Sequence, residues 1–385
     1  MTLAKIDDAR RRARLGVRHL LSTRAASVED VADALVGLHA TDPATVFLSA
    51  CARLEQPTVA DVEAAFYDRR TLVRLLCMRR TMFAVTAASA PVVQAAAGAA
   101  IAEKERLKLL QHLADGLGWD ADRLAEVEKA TLEALRLRGE ATAVELTRDV
   151  PALLEQLVMA PGKPYEARQN VSSRVIRVLA ADGWMRRSRP LGTWLSTQFR
   201  WAPATPWPHV NPDEARAELV RRWLASYGPG TEADVKWWTG WTLGAVRKAL
   251  TAVGAVEVEL SSGIGYVLPD DLADTGEPEP WAALLPALDP TPMGWQARDW
   301  YLPARHRPRL FDTAGNVGPT VWWNGAVVGG WAQRPDGELV WRLLDDVGAD
   351  ATAAISREAD RLTSWLDGVR VIPRFRTPLE KELAK

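Results

Sequence analysis

Thr231-Glu232-Ala233-Asp234-Val235-Lys236-Trp237-Trp238-Thr239-Gly240 is the stretch from which the fold can be read. It begins as a helix N-cap, with an acid at the third helical position and an apolar anchor after it, and it ends on glycine. A second amphipathic segment, Thr242 to Val253, follows at once. Val256-Glu257-Val258-Glu259-Leu260 then alternates strictly, as a half-buried strand does. Ser261 to Gly265 turns the chain and Tyr266-Val267-Leu268 returns. Preceded by the helical pattern that ends at Tyr227-Gly228, this is helix, turn, helix, then a two-stranded wing.

Working outward, the same signature recurs at Ser27-x-x-Asp30-Val31, Thr58-x-x-Asp61-Val62 and Thr142-x-x-Glu145-Leu146. The Thr142 copy also follows a glycine-ended helix, Arg138-Gly139. A helix read from Arg168 to Asp182 comes after it. Strands at Gly183–Arg187 and Trp194–Trp201 then enclose a basic wing. The amino-terminal copy is less regular, with helices at about 28–38, 44–53 and 59–67 and strands at Leu72–Met78 and Thr81–Thr86. Beyond residue 268 the character changes. Pro269 to Pro308 is rich in Pro, Asp and Trp, and Gly318 to Leu344 reads as a β-meander with Asn324-Gly325 and Asp336-Gly337 turns. A helix at roughly 350–366 carries Leu362, Trp365 and Leu366 on one face. The expected architecture is therefore α+β: three tandem winged helix-turn-helix units with a carboxyl-terminal β-meander. The units are placed at 1–115, 116–208 and 209–268, with the β-rich region at 269–385 and no low-complexity linker between them.

Composition narrows the function. Of 385 residues, 48% are hydrophobic and 25% charged, the mix of a globular protein with a sizeable core. No apolar run approaches the roughly 18 residues that span a bilayer. The polar, arginine-rich start has no signal-peptide core, so a cytoplasmic, nucleoid-associated protein is expected. Cys51 and Cys77 sit in apolar sequence and read as buried free thiols. His19, His39, His112, His209 and His306 are dispersed without ligand spacing, and no Walker loop, dinucleotide fingerprint or nucleophile elbow occurs. No metal and no cofactor is expected.

The net charge of −1 hides an uneven distribution. Residues 1–24 carry seven bases against two acids, and residues 168–200 carry seven against one. A protein that neutralises phosphates needs a basic face rather than a basic average. Arg168, Arg174 and Arg177 on the recognition helix, with Arg186, Arg187 and Arg189 in the wing, are the candidate contacts to double-stranded DNA. Such contacts position a protein without reading sequence. Most of the 17 tryptophans, Trp237, Trp238 and Trp241 among them, read as core.

Several segments together resemble the AlkZ/YcaQ-like DNA glycosylase family. They are Gly37-Leu38-His39-Ala40-Thr41-Asp42-Pro43 with Leu48 to Leu54, Arg79-Arg80-Thr81-Met82-Phe83-Ala84-Val85, Gly192 to Ser196, and Arg200-Trp201-Ala202-Pro203. The series continues with Tyr227 to Gly240, Leu284 to Pro290, and Val317 to Val321. They run in order from about residue 30 to 345. The resemblance implies a C-shaped monomeric body gripping duplex DNA and releasing alkylated purines, in some members from interstrand crosslinks. Active members carry Gln-x-Gln or Gln-x-Asp to place the attacking water, and here those positions are His39 and Thr41. A neutral imidazole can orient or deprotonate water, whereas a protonated one would oppose the developing positive charge. Thr41 would be the second water ligand. Asp42 is a fallback carboxylate one residue out of register, and on a helix it would point about 100° from Thr41. Asp42-Pro43 equally reads as a cap for the following helix. Two other classes stay open: a winged-helix protein that binds DNA without cutting it, and a sequence-specific regulator, which would be expected to carry one unit and dimerise.

Overall fold

The computed structural model describes residues 3–159, 162–164, 166–273 and 276–385. The chain is a mixed α+β protein. Its first helices, Val28–Ala34, Pro43–Cys51 and Val59–Tyr67, start where side-chain oxygens of Ser27, Asp42 and Thr58 accept backbone N–H groups of the first turn. They cover a three-stranded antiparallel sheet in which Thr81–Thr86 lies between Leu38–His39 and Leu72–Cys77. A 19-residue helix, Ala99–Leu117, ends on left-handed Gly118 and leads into the second region.

That region contains helices Ala121–Arg138 and Ala143–Asp149, the latter opened by a complete capping box between Thr142 and Glu145. A hairpin, Gln156–Met159 with Ala167–Asn170, then precedes the helix Ser172–Ala181. Val158 pairs with Arg168 in that hairpin, so Arg168 lies on a strand and not on the expected helix. The wing strands are Met185–Pro190 and Phe199–Pro203. The second is shorter than the sequence pattern suggests. Trp194 turns inward between Phe47 and Trp365, at ring distances of 5.0 and 5.7 Å, which removes Trp194–Gln198 from the strand.

The third region follows its sequence pattern closely. Pro212–Tyr227, Glu232–Thr239 and Leu243–Ala252 are helices, and Thr231 and Asp234 form a second capping box. The hairpin Val256–Leu260/Gly263–Val267 gains a third, parallel strand from the amino terminus, Ala4–Lys5. Gly230 has no room for a side chain, because a Cβ there would stand 2.2 Å from the Trp223 ring. The meander at the carboxyl end has four strands, not three. Ala282–Leu285, buried at every position, joins Thr320–Trp323, Ala326–Gln333 and Leu339–Leu343. Helix Gly348–Leu366 packs on it through Ile355, Leu362 and Leu366.

Two apolar cores hold the first and third regions against the meander, and a separate core fills the second region. Where the Pro43–Cys51 helix ends, Arg53 is fully buried and donates all five of its N–H groups. Nε donates to the His19 carbonyl (2.9 Å). Nη1 donates to the Ser49 carbonyl (2.9 Å) and Asp289 Oδ2 (2.8 Å), and Nη2 to Asp289 Oδ1 (2.7 Å) and Thr291 Oγ1 (2.8 Å). Ser49 Oγ and the Thr291 N–H complete the carboxylate's partners. Removing one partner of such a pair strands a buried charge and costs about 3–5 kcal/mol. Asp289→Ala is expected to lower unfolding free energy in urea by that amount. A loss under about 1 kcal/mol would mean that Arg53 finds other acceptors.

Candidate nucleic-acid interface

A cleft of about 490 Å³ opens between the first sheet, the Ser172–Ala181 helix and the second-region wing. Six arginines line it: Arg74, Arg80, Arg177, Arg186, Arg187 and Arg374. Among the described residues its lining contains no aspartate or glutamate. Leu76, Met82, Ile176, Met185, Phe199 and Trp201 supply apolar wall, and Thr41 reaches the cleft from the end of the Leu38–His39 strand.

The arginines are held rather than loose. Arg187 lies over the Phe199 ring at 4.2 Å, and its Nε is buried without a hydrogen-bond partner. Burial, reinforced by Arg74, lowers its pKa to about 10. Burial and the neighbouring Arg70 lower Arg186 as well. Arg74 stacks 3.8 Å over Phe66 and donates to the Tyr67 hydroxyl at 3.2 Å. Arg80 is bridged to Glu105 (2.6 Å), while Arg177 is exposed. Like charges crowded on a half-buried wall repel one another, and a polyanion relieves that repulsion.

Of the sequence candidates, Arg177, Arg186 and Arg187 come together in this cleft, while Arg168, Arg174 and Arg189 do not line it. Arg168 is exposed on its strand. Arg174 is half-buried, with Nη1 3.3 Å from His112 Nδ1. Arg189 makes two 2.8 Å bonds to Asp68 and docks the wing on the Val59–Tyr67 helix. The pattern reading missed Arg74, Arg80 and Arg374. Arg74 is the lone base of the Leu72–Cys77 strand, and Arg374 lies beyond the segments that carried the resemblance.

His39 sits one strand from Thr81–Thr86, paired with Phe83, and its ring is 5.5 Å from the Phe83 ring. It is 6% exposed, and Nδ1 is buried with no partner. Burial first, and then the Arg79 charge, lower its pKa to about 3, against a smaller opposing effect of Asp289. The sheet pairing carries one residue past it, with the Ala40 N–H bonded to Met82 O at 2.8 Å, before a bend at Thr41 and Asp42. Leu38 to Asp42 is therefore not helical. The strand ends at His39 and the chain bends at Thr41 and Asp42, so that Thr41 lines the cleft while His39 does not. Asp42 is the N-cap of the Pro43–Cys51 helix: Oδ1 accepts from the Ala44 N–H (3.1 Å), and Oδ2 from the Arg374 N–H (3.4 Å).

The arrangement defines a class, an α+β protein whose arginine-walled cleft is suited to a polyanion. Residues 8–365 match the family described as DNA glycosylase AlkZ-like, and the chain belongs to that family. Its fold is similar to that of Streptomyces sahachiroi DNA glycosylase AlkZ, with a TM-score of 0.72 and 20% identity over 95% of this chain and 98% of that one. No curated protein sequence matches. Among the described residues no helix is long and apolar enough to cross a membrane. No group of three or more His, Cys, Asp or Glu among them is placed to hold a metal ion.

The lowered His39 pKa has a consequence for stability. Below about pH 6.5 the unfolded chain's imidazole takes up a proton that the folded one refuses. The stability is complete above that pH and is lost as pH falls toward 3, by about 1.4 kcal/mol per pH unit for each such group. His19, also lowered to about 3 by burial and by Arg53, adds an equal slope. In urea titrations between about pH 6 and 4.5, His39→Gln is expected to flatten the dependence by about one histidine's share. An unchanged slope would show that His39 titrates normally in the fold.

Proposed function

We propose that this chain is a monofunctional DNA glycosylase that grips duplex DNA in the arginine-lined cleft and hydrolyses the N-glycosidic bond of alkylated or bulky cationic purine adducts, interstrand crosslinks included. The observation that carries the reading is Thr41 on the wall of that cleft with a neutral His39 two residues before it, at the end of a short strand. On this reading the three helix-and-hairpin regions, 1–115, 116–208 and 209–268, act as winged helix-turn-helix units of a C-shaped monomer, with 269–385 as their support.

The reaction follows from the leaving group. A purine alkylated to a cation departs as a neutral base, taking the electron pair of its bond to the sugar and leaving an oxocarbenium-like centre. Water, held by the His39 imidazole and the Thr41 hydroxyl, adds its oxygen to the anomeric carbon, and its proton passes to His39 or to solvent. An imidazole that stays neutral at physiological pH adds no opposing charge as the sugar becomes cationic. Selectivity would come from access and leaving-group quality, without full extrusion of the base. Asp42, occupied as a cap, takes no part.

One observation favours a second reading, a family member that binds without cutting: His39 is 6% exposed and the described cleft lining holds no carboxylate. Base release from methylated duplex DNA separates the two. The parent is expected to release base, His39→Ala to fall by about a hundredfold or more, and both to bind alike. Tight binding with no release from either protein, on methylated and on bulkier adducts, would establish the second reading. For the cleft itself, the Arg177→Gln/Arg186→Gln double variant is expected to reduce the slope of log affinity against log salt by about 1.8, at about 0.9 per phosphate contact. A parental slope would place the DNA elsewhere.

A further inference from the structure

Arg79 and Arg298 converge on one indole from opposite parts of the chain. The Arg79 guanidinium lies 3.8 Å from the centre of Trp237, and that of Arg298 lies 4.7 Å from it. Trp237 belongs to the Glu232–Thr239 helix, Arg79 to the tip of the Leu72–Cys77/Thr81–Thr86 hairpin, and Arg298 to the loop that follows the first meander strand. Neither cation has a carboxylate within ion-pair distance among the described residues. Arg79 Nε, Arg298 Nε and Arg298 Nη2 are all buried without a hydrogen-bond partner. The Tyr301 hydroxyl accepts from the Arg298 side chain and donates to the Pro292 carbonyl at 3.1 Å, so it offers Arg298 a neutral partner but no charge.

This departs from how the chain treats enclosed arginines outside the cleft; within it Arg187 is likewise stacked on a ring with its Nε unmatched. Arg53 has every donor matched, and Arg14 meets Asp271 at 3.0 Å. Arg11 also has unmatched donors, but at 2% exposure it is closed off beneath Trp300. Arg79 and Arg298 are half-buried, so a ligand can still reach them. Burial lowers the Arg79 pKa to about 10, and the like charge of Arg298 adds to the effect. The backbone is committed as well. Arg79 (φ 53°) and Arg80 (φ 61°) are consecutive left-handed residues, a conformation that non-glycine residues adopt at a cost. The turn sends Arg80 to the arginine-lined cleft and Arg79 to Trp237. Gly240, left-handed at φ 77° where the Trp237 helix ends, lies against the Arg79 backbone.

Two desolvated, unpaired cations held by a shared aromatic ring are costly unless an anion completes them. Planar guanidinium forks suit a tetrahedral oxyanion that accepts several N–H groups at once. We infer that Arg79, Arg298 and Trp237 form a second anion site, separate from the cleft, which takes one phosphodiester of DNA where the first and third regions meet. The inference rests on the DNA-binding reading for the source of the phosphate, though not for the chemistry of the site. Because one turn carries Arg80 and Arg79 to different places, a single hairpin would then hold DNA at two points of its backbone.

The test uses the full chain with three variants: Arg79→Gln, Arg298→Gln and their combination. Binding of a fluorescein-labelled undamaged duplex is measured across a salt series, and melting temperature is measured with and without inorganic phosphate. The double variant is expected to lower the slope of log affinity against log salt by about 0.9, the share of one phosphate, and each single variant by part of that. Arg298→Lys, which keeps the charge, is expected to restore the slope, which a purely structural arginine would not do. A double variant that keeps the parental slope overturns the site while leaving DNA binding intact. If the parent binds no duplex at all, the DNA reading has failed and the phosphate arm decides. A phosphate-dependent rise in melting temperature that disappears in the double variant supports a site for free phosphate. An equal response in parent and variant overturns it.

Discussion

The buried pair of Arg53 and Asp289 is the joint on which the rest of the molecule is assembled. Arg53 closes the helix that Asp42 begins, and Asp289 follows the first strand of the meander. Their union fixes the helix that carries the motif strand against the sheet at the far end of the chain. His19 joins through its carbonyl, and its ring accepts or donates with Thr291 at 2.8 Å. Burial raises the Asp289 pKa, but Arg53 and the hydrogen bonds to Ser49 and Thr291 more than offset this, and it is lowered overall. A charge pair at zero exposure adds little net stability over a well-packed apolar pair. Its contribution is geometric, because five donors and one carboxylate are satisfied in one arrangement of three distant segments.

That joint explains where the cleft lies. The first and third regions share cores with the meander, while the second has a core of its own. The cleft opens at the border between these bodies, with Arg74 and Arg80 on one side and Arg177, Arg186 and Arg187 on the other. The second-region wing is pinned across the border by Arg189 to Asp68 and by Trp194 between Phe47 and Trp365. Arg189 and Trp194 are thus structural in this fold: they set the separation of the two walls and hence what width of ligand fits.

The local elements were readable in the sequence because each carries its own physical signal. The N-caps at Ser27, Thr58, Thr142 and Thr231, the alternation of Val256–Leu260 and the Asn324-Gly325 turn all recur in the structure. What failed was anything decided by distant packing. Ala282–Leu285 is buried on both faces, so it shows no alternation, and its proline-rich surroundings concealed it. Arg168 looked helical because it is in step with Arg174 and Arg177, but a hairpin pairing that no local pattern announces takes it away. The basic cleft was half legible. The wing arginines stood out as a cluster, whereas Arg74, Arg80 and Arg374 are scattered in sequence and gathered only by the fold. At the motif, spacing alone could not reveal that Leu38–His39 is a strand followed by a bend at Thr41 and Asp42, with Thr41 on the cleft wall and His39 buried off it.

The absence of an acid from the described cleft wall bears on the chemistry proposed for it. A carboxylate beside the sugar would help an oxocarbenium-like centre form and would let a neutral base be expelled. Here the negative charge nearest the sugar would be the DNA's own phosphates, held in place by the arginines. Field stabilisation of that kind is fixed by backbone position and not by the identity of the base. It suffices only where the leaving group already carries positive charge, because departure then moves that charge onto the sugar without creating any more. On the proposed function, such a cleft would be matched to cationic adducts and ill matched to neutral, mismatched or deaminated bases. Within the proposed mechanism, a His39 kept neutral by its burial adds no further cation near the sugar.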